Sequence, residues 1–204
     1  MLKFFWLLLI PVVLSFAPSF AALAGSTAID RFGKGKKYIG FHAGYGSGFS
    51  LGFSGNGDGR EVEYLATFPY LGFGISNLKA ENKWYRGSFD LIVEGEFIRS
   101  FEPNDGFSAG ANFMARYNLL SWSKLVPFAE AGTGIGYLDF GLFDQEDGII
   151  FYPQVGLGFH YFLTELFSLD TSLRFHHISN AGTDQPNNGV HSGLVLLGLT
   201  FYLD

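Results

Sequence analysis

The clearest pattern along the chain is an alternation of apolar and polar residues with a period of two. Such alternation indicates β-strands, because successive side chains of a strand point to opposite faces. The pattern predicts eight strands separated by turn-forming sequences. The predicted strands span residues 37–46, 63–76, 85–100, 106–118, 125–140, 149–162, 166–179 and 190–203.

The third and fifth predicted strands show how regular the alternation is. In the third, one face carries Phe89, Leu91, Val93 and Phe97, and the other carries Asp90, Glu94 and Glu96. The fifth is less regular, because Glu130 falls in phase with Val126 and Phe128. That mixture predicts a bulge or a strand edge at Glu130.

Short alternating strands with an apolar face directed outward are typical of outer-membrane barrels. The strands of a soluble barrel with an apolar cavity would also alternate between apolar and polar residues. However, the polar faces here carry few lysines and many glycines and serines, which suit a narrow packed lumen. The sequence therefore predicts an all-β fold, an eight-stranded antiparallel transmembrane β-barrel of the bacterial outer membrane. We expect the carboxylates of the third strand to lie in the lumen and to pair with Arg116 or Arg174.

Aromatic residues near the strand ends are expected at the membrane interfaces, where tyrosine and tryptophan are enriched in membrane proteins. These residues are Tyr38, Tyr64, Trp84, Tyr85, Trp122 and Tyr202.

The N-terminal segment has the features of a secretory signal peptide. Lys3 precedes an apolar run over residues 4–20, and a small-x-small site follows at residues 22–24. We expect a signal peptide over residues 1–24 and a single barrel domain over residues 25–204. No later segment has the roughly 18 uninterrupted apolar residues expected of a membrane-spanning helix.

The composition supports a membrane barrel. The chain has 24 phenylalanines, 28 glycines and 10 tyrosines, and its charged residues amount to 16%, against about a quarter in soluble domains. It has no cysteine, so disulfides cannot stabilise the fold. The net charge of −6 argues against a nucleic-acid partner.

Two glycine-rich stretches, residues 44–48 and 132–136, resemble phosphate-binding loops. A nucleotide site of that kind needs a helix after the glycines, and no helical periodicity follows either stretch. We therefore interpret them as strand glycines and expect no cofactor. No metal-ligand spacing relates His42, His160 and His176, and we expect no metal.

Strong turn sequences at residues 55–59, 103–106 and 186–189 each follow an odd-numbered predicted strand. In an even-stranded barrel with both termini in the periplasm, these connections face the outside of the cell. The connection between the seventh and eighth predicted strands is then extracellular.

His177 and Ser179 stand at the end of the seventh predicted strand. Residues i and i+2 of a strand share a face and lie about 6.7 Å apart along it. The same face continues through the mostly apolar residues Phe167, Leu169, Thr171, Leu173 and Phe175. A base and a nucleophile directed at lipid suggest an enzyme that acts on a membrane lipid. The alternative is an inert polar pair in the headgroup zone.

The segment from Arg174 to Ser192 resembles the PagL-type lipid A 3-O-deacylase family. In that family a His-x-Ser-Asn motif ends the seventh strand and a loop ending in Pro-Asn-x-Gly follows. Residues 177–180 and 186–189 match these two elements here. The resemblance implies an esterase that removes the 3-O-acyl chain of lipid A, the lipid part of lipopolysaccharide, in the outer leaflet.

The resemblance also implies roles for single residues. Ser179 corresponds to the nucleophile and His177 to its general base, while Asn180 with the N–H groups of Ala181 and Gly182 corresponds to the oxyanion hole.

One position departs from the family pattern. The family's glutamate is replaced by His191, which can accept a proton from His177 but brings no negative charge. Asp184, in the loop, is the alternative third member.

Two other functions remain open from the sequence. One is a non-enzymatic outer-membrane barrel with a structural or adhesive role, and the other is an acyltransferase with its reactive groups in the lumen. For the deacylase we expect a monomer or a homodimer embedded in the membrane.

Overall fold

The computed structural model describes residues 29–49, 62–120, 122 and 124–203. The segment predicted to be a signal peptide lies outside these residues. A 3₁₀ helix (Ile29–Arg31) precedes nine strand segments. These are β1 (Lys37–Gly48), β2 (Glu63–Gly74), β3 (Gly87–Glu102), β4 (Gly106–Leu119), β5 (Leu125–Asp139), β6 (Gly148–Phe151), β7 (Gln154–Phe162), β8 (Phe167–Ile178) and β9 (Val190–Leu203). In this part of the chain no helix has the length and apolar character needed to cross a membrane.

The strands close into one antiparallel barrel. Each strand pairs with its neighbour along the chain, and β1 pairs with β9 to close the ring. Segments β6 and β7 both pair with β5, and they do so in the same register: Phe151 lies opposite Ile135 and Gln154 lies opposite Gly132. They form one strand interrupted at Pro153, which has no N–H to donate. The barrel therefore has eight strands, as the alternation predicts.

The bulge predicted at Glu130 is wrong. Strand β5 keeps an unbroken register with β4, from Phe128 opposite Asn118 to Asp139 opposite Phe107. Val126, Phe128 and Glu130 all face the lumen. The alternation looked irregular because the lumen itself is apolar near its ends, so an apolar and a charged residue can share the inner face.

The residues that face outward on the strands are largely apolar, and many of them are well exposed. Phe113 and Leu173 are each 59% exposed, and Leu65 is 56% exposed. The residues between them on the strands are mostly buried in the lumen. The barrel is thus apolar on its outer surface, which suits contact with lipid chains.

Charged residues in the lumen form one network between two apolar clusters. Arg174 contacts Glu94 at 2.7 Å and Glu130 at 2.9 Å, and Arg116 contacts Glu130 at 2.8 Å. One apolar cluster contains Tyr64, Phe68, Tyr152, Ile178 and Leu196, and the other contains Phe32, Tyr38, Met114, Phe162 and Tyr202.

The other two carboxylates of β3, Asp90 and Glu96, form no ion pair with Arg116 or Arg174, contrary to the sequence-based expectation. Asp90 accepts hydrogen bonds from Tyr38 and from Asn118, each at 2.7 Å. Glu96 accepts one from Asn112 at 2.6 Å and lies 3.0 Å from His176. Tyr38, Asn112 and Asn118 thus donate to these two carboxylates, while the arginines contact Glu94 and Glu130.

The predicted aromatic girdle is only partly correct. Trp84, Tyr85 and Trp122 are exposed on the outer surface. In contrast, Tyr38, Tyr64 and Tyr202 point into the lumen and are at most 1% exposed. Proximity to a strand end was a weaker guide than strand phase, because these three tyrosines share the inward face.

Candidate active site

His177 and Ser179 lie at the end of the barrel where β8 ends and β9 begins, here called the site end. It is opposite to the end where β1 begins and β9 ends. Both side chains point outward and are partly exposed. Ser179 exchanges two backbone hydrogen bonds with Phe151 of β6, with N–O distances of 2.7 and 3.2 Å. Strand pairing thus continues past the end of β8 and holds the Ser179 backbone in place.

His191 is the side chain that contacts His177. The register of β8 and β9 places the two residues directly opposite each other, and such pairs lie side by side on one face of a sheet. Their Nδ1 atoms are 2.9 Å apart and their rings are tilted by 23°. One ring must donate the hydrogen bond and the other must accept it. His177 Nε2 is therefore left for another partner.

Asp184 is placed differently. Its side chain accepts a hydrogen bond from Gln185 N at 2.9 Å, and its backbone carbonyl accepts one from Asn180 Nδ2 at 3.0 Å. Within the described residues Asp184 makes no hydrogen bond or ion pair with His177. The structure thus brings His191, and not Asp184, against His177.

Within the described part of the chain no hydrogen bond joins Ser179 Oγ to His177. The two residues are next-but-one neighbours on one strand face, so their backbones are about 6.7 Å apart along the strand. Bonds between a nucleophile and its base are often long before substrate binds and tighten in the complex.

The loop after Ser179 begins with a tight turn. Thr183 N donates to Asn180 O at 3.1 Å, and the two central residues, Ala181 and Gly182, have φ angles of 55° and 78°. Two consecutive positive φ angles define a type I′ turn. Such angles are unusual for alanine, so Ala181 is held in this conformation by the surrounding loop.

Asn180 organises this turn with its buried side chain. Its Oδ1 accepts from Gly182 N at 2.9 Å, and its own N–H donates to Asn187 Oδ1 at 3.1 Å. The side-chain amide and the Gly182 N–H are therefore engaged within the loop. Of the N–H groups expected to form an oxyanion hole, that of Ala181 has no acceptor among the described residues.

A residue that the sequence did not indicate also reaches this site. Gln145, in the connection between β5 and β6, is fully buried, and its Oε1 accepts from Gly189 N at 3.0 Å. Gly189 in turn lies against the ring of His177. Gln145 carried no sequence signal, because it belongs to no motif and lies 44 residues from Gly189.

Among the described residues, no group of three or more histidine, aspartate or glutamate side chains is arranged to hold a metal ion. The chemistry available at the site is that of a hydroxyl, two imidazoles and backbone N–H groups.

A family model described as lipid A 3-O-deacylase (PagL) matches residues 47–200 of the chain. This range contains all the residues of the candidate site. No curated protein sequence matches the chain significantly.

Several solved structures share the fold. The crystal structure of the outer-membrane enzyme PagL is 18% identical, with a TM-score of 0.57, and covers 79% of this chain and 97% of its own. Neisserial surface protein A is 17% identical, with a TM-score of 0.59 and coverage of 81% and 96%. The N-terminal barrel domain of Pseudomonas aeruginosa OprF is 15% identical, with a TM-score of 0.51 and coverage of 84% and 99%.

Proposed function

Because the chain belongs to the lipid A 3-O-deacylase (PagL) family, we propose that it is a serine esterase that removes the ester-linked 3-O-acyl chain of lipid A. The protein is located in the bacterial outer membrane. The observation that carries the proposal is the contact between His177 and His191, beside Ser179, on a surface that faces lipid. The contact leaves His177 Nε2 to accept a proton, as a general base must.

The reaction proceeds through an acyl-enzyme. Ser179 Oγ attacks the ester carbonyl carbon while His177 Nε2 takes the hydroxyl proton. The C–O bond to the sugar then breaks, and the leaving sugar oxygen receives that proton from His177. Water, activated by His177 in the same way, hydrolyses the acyl-Ser179 ester, releases the fatty acid and restores the serine.

The negative charge that develops on the carbonyl oxygen needs donors that are already oriented. We assign the Ala181 N–H to this role, since it is the donor that the loop leaves unused. Asn180 contributes by holding the type I′ turn, and Gly182 by completing it. In this assignment Ala181 supplies the donor, whereas Asn180 and Gly182, which the resemblance also assigned to the oxyanion hole, hold the turn.

His191 acts as the third member of the triad. In this role His191 Nδ1 accepts the hydrogen bond from the Nδ1–H of His177, which leaves His177 Nε2 unprotonated and sets the orientation of the base. As a neutral group it lacks the charge with which a carboxylate stabilises an imidazolium. We therefore expect His191 to support deacylation, but at a lower rate than a carboxylate at this position would.

The position of the pair supports a membrane lipid as the substrate. His177 and Ser179 continue the outward face of β8, on which Phe175 and Leu173 lie one and two steps farther into the apolar surface. The site end is opposite to the end where the described chain begins and ends, which supports exposure to the outer leaflet. A lumenal acyltransferase has less support, because the lumen is filled by buried side chains.

The test is mass spectrometry of lipid A from bacteria that express the parent protein or Ser179→Ala. The parent should yield lipid A that lacks one hydroxyacyl chain, and Ser179→Ala should leave lipid A intact. Ser172→Ala is the matched control, since Ser172 lies on the same strand but faces the lumen, and it should deacylate like the parent. Deacylation by Ser179→Ala would exclude the serine mechanism, and intact lipid A with the parent would favour a non-enzymatic barrel.

A further inference from the structure

We infer that Gln145, in the connection between β5 and β6, is a positioning residue for His177. The inference rests on the proposed function, in which His177 is the general base. Gln145 does not touch the outward surface and reaches the base only through Gly189.

Gly189 is in direct contact with the ring of His177. A methyl group added at the Gly189 Cα would lie 2.6 Å from His177 Cε1 and 3.4 Å from Nε2. Gly189 therefore packs directly against the ring at Cε1, the carbon between its two nitrogens. Because His191 contacts the adjacent Nδ1, Gly189 and His191 together restrict the position of the His177 ring.

A hydrogen bond to the buried side chain of Gln145 holds Gly189 in place. Its N–H donates to Gln145 Oε1 at 3.0 Å, while Gln145 Nε2 donates to Glu146 O at 3.1 Å. The Gln145 side chain is 0% exposed, so water does not replace this acceptor. A buried N–H without an acceptor costs free energy, and the backbone shifts so that the N–H reaches another acceptor. Movement of Gly189 would release the ring of His177.

The loop that contains Gln145 and the loop that contains Gly189 are also held together without the Gln145 side chain. Backbone bonds also join the two loops: Glu146 N donates to Pro186 O at 2.8 Å, and Asn188 N donates to Asp144 O at 2.9 Å. These bonds do not depend on the side chain at position 145. A substitution there should leave the loops docked and change only the placement of Gly189.

The test compares two substitutions of nearly equal length. Gln145→Glu keeps an oxygen acceptor for the Gly189 N–H, whereas Gln145→Met keeps the length and removes the acceptor. We expect Gln145→Met to lower kcat by roughly 10- to 100-fold, since a misplacement of about 1 Å can cost about 100-fold. KM for lipid A and the urea midpoint of unfolding should stay near the parent values, and Gln145→Glu should retain most of the parent kcat.

A second measurement does not depend on activity. In ¹⁵N-histidine spectra of the detergent-folded barrel, the His177 and His191 signals should shift or broaden in Gln145→Met and stay near the parent positions in Gln145→Glu. Parent-like kcat and spectra in Gln145→Met, or equal losses in both variants, would overturn the inference. A parent protein without deacylase activity would instead refute the proposed function, and the spectra would still decide whether Gln145 positions the ring.

Discussion

The pair His160–Asp170 and the pair His177–His191 lie in very different surroundings. In the lumen, His160 Nδ1 lies 2.7 Å from Asp170 Oδ1, and both side chains are 0% exposed. Ser168 Oγ donates to the same carboxylate oxygen at 2.8 Å. On the outer surface, His177 lies 2.9 Å from His191, which has no charge to offer, and Ser179 stands two residues along the strand.

By residue type alone, the lumenal group is closer to a serine–histidine–aspartate triad. It is nevertheless unsuited to catalysis, because Ser168 bonds the carboxylate and not the imidazole. The His160 ring is also covered by Phe128, with centroids 4.7 Å apart, and its Nε2 faces Arg116 at 3.5 Å. In the outer pair a neutral imidazole, His191, stands where the lumenal pair has a carboxylate, but His177 is partly exposed on the surface. Access from the membrane side, and not the best hydrogen-bond geometry, is therefore the reason that we propose His177 as the reactive histidine.

The largest expected effect separates two adjacent histidines on opposite faces of β8. His177→Ala should reduce deacylation by roughly a thousandfold or more, because the serine loses its base, while the barrel remains folded. His176→Ala should retain activity per folded molecule within a few-fold, because His176 faces the lumen and contacts Glu96 and Tyr64. Deacylation assays normalised to folded protein measure both. Equal losses would show that the two faces are not functionally distinct.

The next effect concerns the stability of the lumen. Arg174→Met leaves Glu94 without its arginine and leaves Glu130 with Arg116 alone, and breaking a buried ion pair costs about 3–5 kcal/mol. The urea midpoint of the detergent-folded barrel should fall clearly, while activity per folded molecule stays near the parent value. Arg99→Met is the control, since within the described residues the ion pair of Arg99 is the exposed one with Asp105 at 3.4 Å, worth about 0–1 kcal/mol. A similar midpoint for both variants would contradict the structural role of the lumenal network.

Substitution of His191 sharpens the comparison by giving the outer pair the acid that the lumenal pair already has. His191→Glu should raise the maximal rate by about tenfold, or about 1.4 kcal/mol, because a carboxylate stabilises the imidazolium. The same charge keeps His177 protonated to higher pH, so the acid side of the pH–rate profile should move to higher pH. His191→Ala should lower the rate at every pH. Parent-like profiles for both variants would leave His191 without a role, and Asp184 would be the next residue to test.

The smallest expected effect is at Ala181, whose left-handed conformation costs about 1–2 kcal/mol for a residue with a Cβ. Ala181→Gly removes that cost but adds chain entropy in the unfolded state. The unfolding free energy should therefore change by less than about 1 kcal/mol, and activity should change by less than twofold because the N–H remains. Ala181→Val should lower both, since a β-branched residue tolerates this conformation poorly. Calorimetry and initial rates on the two variants check this.

The period of the alternation determined most of the fold. Strand phase depends only on the period of two, so the strand positions, the even strand number and the outward direction of His177 and Ser179 could be predicted from the sequence. The errors come from rules other than the phase of the strand. Proximity to strand ends predicts the wrong face for Tyr38, Tyr64 and Tyr202, and the apolar neighbours of Glu130 predict a bulge that does not exist there.

Only the tertiary structure decided which residues meet at the site. The phase of β9 placed His191 on the outer face, but the register across the loop of residues 179–189 decided that it lies opposite His177 and that Asp184 does not. Gln145 reaches Gly189 from another loop, 44 residues away in sequence. Such contacts depend on how loops of different strand pairs pack together, and local periodicity carries no information about that. The sequence therefore determined the face on which the chemistry lies, and the closed barrel decided which side chains complete it.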